Sequence, residues 1–306
     1  KIDVIKSNAK TATLYGYCRP KISNIYSNNN QNQNSFVDCK GLRHPIIENI
    51  QTKEPYITND IILGKENNNG ILLFGTNASG KSSLMKALGL NIILAQAGCY
   101  VAASEFDFYP YKYLFTRISN NDNIFKGQSS FAVEMSELRS ILKRSTKNSL
   151  VLGDELCCGT ESVSALSIFS ASVIKLSKNS TNFIFATHLH ELCKLEQINS
   201  LNNLNIFHLK VIYDENTKKL IYDRKLEKGN GPAIYGLEVC RAMDMDSEFI
   251  MLSESIRKSV LNSHQKILNT NKSHFNSEVF IHNCEICNVK AEDVHHIKFQ
   301  CSANEN

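Results

Sequence analysis

One stretch of eight residues constrains this chain more than any other: Gly75-Thr76-Asn77-Ala78-Ser79-Gly80-Lys81-Ser82. It fits the pattern G-x-x-x-x-G-K-[ST] and follows the apolar run Ile71–Phe74. It opens a stretch in which Leu84, Leu88, Ile92 and Ala95 recur at helical spacing and lead to Gly98. A buried strand, a glycine-bearing turn and a helix in that order aim successive backbone N–H groups and a helix N-terminus at one point, which suits a phosphate. Lys81 then reaches β- and γ-phosphates, and the Ser82 hydroxyl is placed to ligate Mg²⁺. The chain is therefore expected to bind a nucleoside triphosphate.

The surrounding pattern predicts a parallel α/β sheet. Tyr113–Ile118, Leu150–Leu152 and Phe183–Ala186 read as strands. Helical spacing falls between them, at Met135, Leu138, Ile141 and Leu142, and again at Leu166, Phe169, Val173 and Leu176. The second of these strands ends in Asp154-Glu155, and the third in Thr187-His188. Open α/β sheets bind ligands at the carboxyl ends of their strands. Asp154 is expected to hold Mg²⁺ through water. Glu155 is expected to orient and deprotonate an attacking water, and His188 to hydrogen-bond that water or the γ-phosphate.

Composition bounds the rest. Of 306 residues, 42% are hydrophobic and 21% charged, a globular balance, and no apolar run is long enough to span a bilayer. The net charge of +4 permits a nucleic-acid partner without requiring one. Ten scattered cysteines and no signal peptide read as reduced thiols in an intracellular compartment. Residues 24–34 are Asn-rich and read as a surface loop; residues 1–18 read as the end of a helix stopped by Arg19-Pro20; residues 231–258 read as helical; and residues 259–277 are polar enough for a linker. The first residue is Lys1, so the chain is read as a fragment of a longer protein.

Taken in order, these motifs resemble the ATPase domain of the MutS DNA mismatch-repair proteins, an ABC-type P-loop NTPase. Gly41-Leu-Arg-His-Pro45 is similar to the family's G-R-H-P segment, and Pro55-Tyr56-Ile57-Thr-Asn59 to its adenine-contacting segment. The Asn-containing phosphate loop, Leu94-Ala-Gln-Ala-Gly98, Phe115-Thr-Arg-Ile118 and Gly127-Gln-Ser129-Ser-Phe131-Ala-Val-Glu134-Met135 all have counterparts, as do Ala186-Thr-His-Leu-His-Glu-Leu192 and Tyr235-Gly-Leu-Glu-Val239. The resemblance implies an Mg²⁺-dependent ATPase. Gly75, Asn77, Gly80, Lys81, Ser82, Ser83 and Asp154 would hold the nucleotide and its metal, with Tyr56 stacked on adenine beside Ile57. Ser129 would cross a homodimer interface to the partner's γ-phosphate. It also implies double-stranded mismatched DNA as a partner, bound through regions outside this chain.

Two features depart from the family pattern. The loop after the acids reads Leu156-Cys157-Cys158-Gly159-Thr160, where the family usually carries a small residue and Arg before Gly-Thr. Gly153 replaces an apolar residue and is expected to leave a gap in strand packing.

The tail is separate. Cys284-Glu-Ile-Cys287 followed by His295-His296 resembles the opening half of an HNH endonuclease. Cys284 and Cys287 would share a Zn²⁺. The resemblance gives His295 to the catalytic ion and makes His296 the general base. A MutS ATPase joined to such a module resembles the branch found in octocoral mitochondria and giant viruses. The compartment is then mitochondrial for an organelle gene, and host cytoplasm or virus factory for a viral one.

The expected organisation is a lever-helix end and connector over residues 1–40, an ATPase and dimerisation domain over 41–262, a linker over 263–280 and a partial HNH motif over 281–306. The competing readings are a recombination-type MutS ATPase without mismatch recognition and a non-hydrolysing dimerisation scaffold.

Overall fold

A computed structural model of the chain describes residues 2–23, 34–50, 55–118, 130–157, 159–214, 219–232, 236–243, 245–269, 271–272 and 280–281. In chain order the elements are α1 (Ile2–Tyr15), β1 (Lys21–Ile22), β2 (Phe36–Leu42), α2 (Ile47–Ile50), β3 (Asn59–Leu63), β4 (Gly70–Phe74), α3 (Lys81–Gln96), β5 (Glu105–Tyr109), β6 (Tyr113–Arg117) and α4 (Ser130–Arg144). They continue with β7 (Ser149–Asp154), α5 (Ser162–Lys178), β8 (Asn182–Ala186), a 3-10 turn (His190–Lys194), α6 (Glu196–Asn199), β9 (Leu204–Asp214), β10 (Lys219–Lys228), α7 (Gly236–Ala242), α8 (Ser247–Asn269) and the pair β11 (Asn271–Lys272) and β12 (Phe280–Ile281). Two compact units result, Lys1–Tyr235 and Gly236–Asn306.

The main sheet has the order β10-β9-β4-β8-β7-β6. Every neighbouring pair from β9 to β6 is parallel, and β10 runs antiparallel to β9. Side chains alternate across a strand, so each apolar strand feeds two cores. Ile71, Leu73, Leu150, Leu152, Ile184 and Ala186 face α3 and a second sheet, of order β1-β5-β2-β3. Leu72, Phe74, Val151, Phe183 and Phe185 face the other way, onto Phe169, Val173 and Leu176 of α5 and Ile141 of α4. The two sheets are also joined by a buried amide. Asn182 donates to the Ser35 carbonyl (2.7 Å) and to the Tyr111 hydroxyl (2.8 Å), and accepts from Asn69 (3.1 Å).

Register aligns three strand ends. Leu73 pairs with Ala186, and Asp154 with Ala186, so β4, β8 and β7 end at the same level. The residues that follow, Gly75, Thr187-His188 and Glu155, emerge side by side.

Several boundaries differ from the sequence reading. Helix α1 stops at Tyr15, before Arg19-Pro20, because Gly16 turns left-handed (φ 61°) and the Arg43 guanidinium takes the Tyr15 and Gly16 carbonyls at 3.0 and 2.9 Å. Gly231 and Pro232 are not helical, and helix α7 spans Gly236–Ala242. Helix α8 continues to Asn269, past the point where polar composition favoured a linker. Within the second unit, Arg241 bridges Glu238 and Glu254.

Candidate active site

Strand β4 is buried along its whole length and hands the chain to the loop at Gly75. A Cβ at Gly75 would lie 2.7 Å from the Ser79 hydroxyl, so the loop closes only around a glycine there. Ala78 (φ 63°) and Gly80 (φ 106°) adopt left-handed conformations. Gly80 then caps α3 with no side-chain hydrogen bond, which leaves the first-turn N–H groups of the helix facing the loop. The Thr76 and Ser79 hydroxyls are buried, with no hydrogen-bond partner among the described residues.

Lys81 is 5% exposed, and its ammonium donates to the Gly75 (2.8 Å) and Thr76 (3.1 Å) carbonyls. Burial pushes its pKa down, while the Glu155 and Asp154 carboxylates pull it back up. The same ammonium lies 3.2 Å from His188 Nε2, and that nitrogen lies 2.8 Å from Glu155 Oε1. The Ser82 hydroxyl donates to Asp154 Oδ2, and Asp154 Oδ1 is buried without a partner among the described residues. A hydroxyl and a carboxylate with a spare oxygen are donors of the kind Mg²⁺ takes, so these residues fit that ion. Around them lies a cavity of about 410 Å³ lined by Thr76, Asn77, Lys81, Ser82, Ser83, Asp154 and Glu155 among others.

A second cavity, of about 240 Å³, shares Ala78, Gly80 and Ser83 with the first. Tyr56 and Ile57 line it, together with Ile47, Leu84, Leu209 and Arg224. Burial is the main cause that raises the Tyr56 pKa; Glu48 adds to it and Arg224 opposes it. Sequence reasoning missed Ile47, Leu209 and Arg224, because the hairpin carrying the last two was not foreseen. Arg224 sits left-handed (φ 56°) where the β9–β10 register shifts, and Asn59 holds that bulge by donating to the Arg224 carbonyl (3.0 Å) and accepting from Leu226 N–H (2.8 Å).

Gly153 leaves no gap. A Cβ there would lie 2.8 Å from the Phe185 ring and 3.1 Å from Leu156 Cδ1, so neighbouring side chains already fill the space. Cys157 is buried and left-handed (φ 69°). Its N–H donates to Glu134 Oε1 at 2.7 Å. Ser129, Cys158, Cys284, Cys287, His295 and His296 lie outside the described residues. Among the described residues no cluster of three or more His, Cys, Asp or Glu could hold a metal ion, and no helix is long and apolar enough to cross a membrane.

The family model described as MutS domain V matches residues 71–261, a span that contains the phosphate loop, both acids and His188. This chain belongs to the MutS family. Among MutS relatives, it is 40% identical to a protein described as a DNA mismatch repair mutS homolog of Acanthamoeba polyphaga mimivirus, over 98% of this chain and 30% of the relative. It is 41% identical to the mitochondrial DNA mismatch repair protein mutS homolog of Sarcophyton glaucum, over 97% of this chain and 30% of that protein. For the DNA mismatch repair protein MutS of Finegoldia magna the identity is 38%, over 87% and 30%. The kinship with a giant-virus and an octocoral protein is the one to which the motifs pointed. The chain spans about 30% of the length of these MutS relatives.

Proposed function

We propose that this chain is the Mg²⁺-dependent ATPase domain of a DNA mismatch-repair protein. The observation that carries the reading is the meeting at one sheet edge of Lys81 and Ser82 from the phosphate loop with Asp154, Glu155 and His188 from two adjacent strand ends. Adenine enters the smaller cavity, stacked on Tyr56 and flanked by Ile57. The triphosphate lies along Gly75–Ser83, where backbone N–H groups and Lys81 neutralise its oxygens. Ser82 and Asp154 would hold Mg²⁺, which when bound would neutralise phosphoryl charge. Glu155 orients the attacking water and takes its proton, and His188 hydrogen-bonds the transferred group. In the dimer, Ser129 of one protomer completes the site of its partner, and ATP turnover switches mismatched-DNA binding, which resides outside this chain, between scanning and clamped states.

The C-terminal cluster belongs to the same reading as a partial HNH nuclease motif: Cys284 and Cys287 would hold Zn²⁺, and His295 and His296 would serve as metal ligand and base. The test of the ATPase is Glu155→Gln. The isosteric amide keeps nucleotide binding, while single-turnover hydrolysis falls by about a hundredfold or more, the usual contribution of a general base. Hydrolysis at the native rate would show that another group takes the proton.

A further inference from the structure

Glu134 takes no part in the chemistry described so far, yet it is an acid only 5% exposed, and it sits beneath the catalytic loop. Its Oε1 accepts the Cys157 N–H at 2.7 Å, the short separation of a bond to a carboxylate. The loop it reaches is held in a conformation that side chains avoid. Glu155 (φ 50°) and Cys157 (φ 69°) are both left-handed, and neither is glycine. Such residues persist only where their surroundings over-determine them.

Among the described residues, two backbone N–H groups are held here, one on each side of Leu156. The Glu155 N–H donates to the Ala186 carbonyl of β8 (3.0 Å), and the Cys157 N–H donates to Glu134 of α4. Helix α4 also meets the loop by packing. Leu156 is buried in the cluster that contains Ile141 and against which Met135 packs, and a Cβ on Gly159 would lie 3.3 Å from Phe131 Cβ. The acid expected to activate water is thus fixed at one end by the sheet and at the other by a carboxylate on a different helix.

We propose that Glu134 is a positioning residue for Glu155. Through the Cys157 amide it locks the left-handed turn that points the Glu155 carboxylate at the reacting centre. The inference rests on the reading of Glu155 as the group that takes the proton from water. It assigns the position of an oxygen, not a charge, as what matters at residue 134.

The test uses the complete protein and measures two quantities for each variant: single-turnover ATP hydrolysis, and affinity for a non-hydrolysable ATP analogue. Glu134→Ala removes the acceptor and is expected to slow hydrolysis by about a hundredfold, the effect of a misplacement of about 1 Å, with affinity held within about twofold. Glu134→Asp keeps the charge but withdraws the oxygen, so a loss of at least about tenfold is expected. This variant decides the matter if the alanine variant fails to fold. Glu134→Gln keeps an acceptor oxygen in place and should stay within about threefold of wild type.

On a Glu155→Gln background, Glu134→Ala should slow the residual rate no further, because residues acting as a unit are not additive. Wild-type turnover in the Asp variant would overturn the proposal. So would a Gln variant as slow as Ala, a parallel loss of affinity, or further slowing on the Glu155→Gln background. Wild-type turnover in Glu155→Gln alone would instead remove the reading on which it rests.

Discussion

Helices α3 and α5 are made by the same unit, a buried parallel strand followed by a loop and a helix, and their first turns are finished in opposite ways. At α5 the chain satisfies itself. The Glu161 carboxylate caps the helix by accepting the Ser164 N–H (3.1 Å), and it is steadied by the Thr160 hydroxyl (2.8 Å). At α3 the capping position is Gly80, which has no side chain to offer, and two buried hydroxyls nearby have no partner among the described residues. A helix that closes its own N-terminus is architecture. One that leaves its donors open beside a lysine and two carboxylates is built around something that arrives from outside.

The sharpest way to break this comparison is Lys81→Ala. No other loop cation is available to the β- and γ-oxygens, so ATP turnover is expected to fall on the order of a thousandfold, with weaker nucleotide binding in equilibrium titration. Unchanged affinity and rate would place the open helix start among structural features. A smaller effect belongs to the base pocket. Tyr56→Ala should weaken ATP binding by about tenfold, since stacking a base on an aromatic ring contributes about 1–3 kcal/mol, and it should leave the rate of bound ATP nearly unchanged.

The least effect on function belongs to the closed helix. Glu161→Ala should lower the thermal unfolding midpoint while ATP affinity stays at the wild-type value. It should also alter the acid limb of stability. Hydrogen bonds from Ser164, then Thr160, hold the Glu161 pKa below its ordinary 4.5. The unfolded chain therefore binds a proton at this position before the folded one does. The contribution is complete above pH 4.5 and is lost as pH falls through the lower, folded value. A wild-type protein whose acid unfolding matches that of Glu161→Ala would show that this cap does not hold the helix.

What the sequence disclosed followed from burial. Ile71–Phe74 and Phe183–Ala186 are unbroken apolar runs because both faces of the parallel sheet are covered, and each is followed by residues that a core would not hold, Gly75 and His188. The placing of Lys81, Asp154 and Glu155 at one edge was legible for that reason. The β9–β10 hairpin was not, because its polar half faces solvent and its charges make sense only in register. Lys210 pairs with Glu227 at 2.7 Å, across strands that look like a charged loop when read singly. With the hairpin went Leu209 and Arg224, which line the smaller cavity beside Tyr56. The stop of α1 was misplaced for a similar reason: Arg43, far along the chain, supplies the donors that end it. Gly153 looked like missing volume because the Phe185 ring that occupies the space comes from a neighbouring strand.

The nitrogen shared between Lys81 and Glu155 carries a further consequence. A ring nitrogen is either a lone pair or an N–H, never both. His188 Nε2 can accept from Lys81 or donate to Glu155, and the choice of one forbids the other. On that geometry the imidazole would act as an exclusive-or gate on a single proton. While the lysine occupies it, the acid has no hydrogen bond from that atom. Were a phosphate to draw the lysine away, the same atom would be free to donate, either to the acid or to the transferred group that the proposed mechanism assigns to it. Arrival of the triphosphate and the placing of that one proton would then be a single event, recorded in the tautomer of one ring.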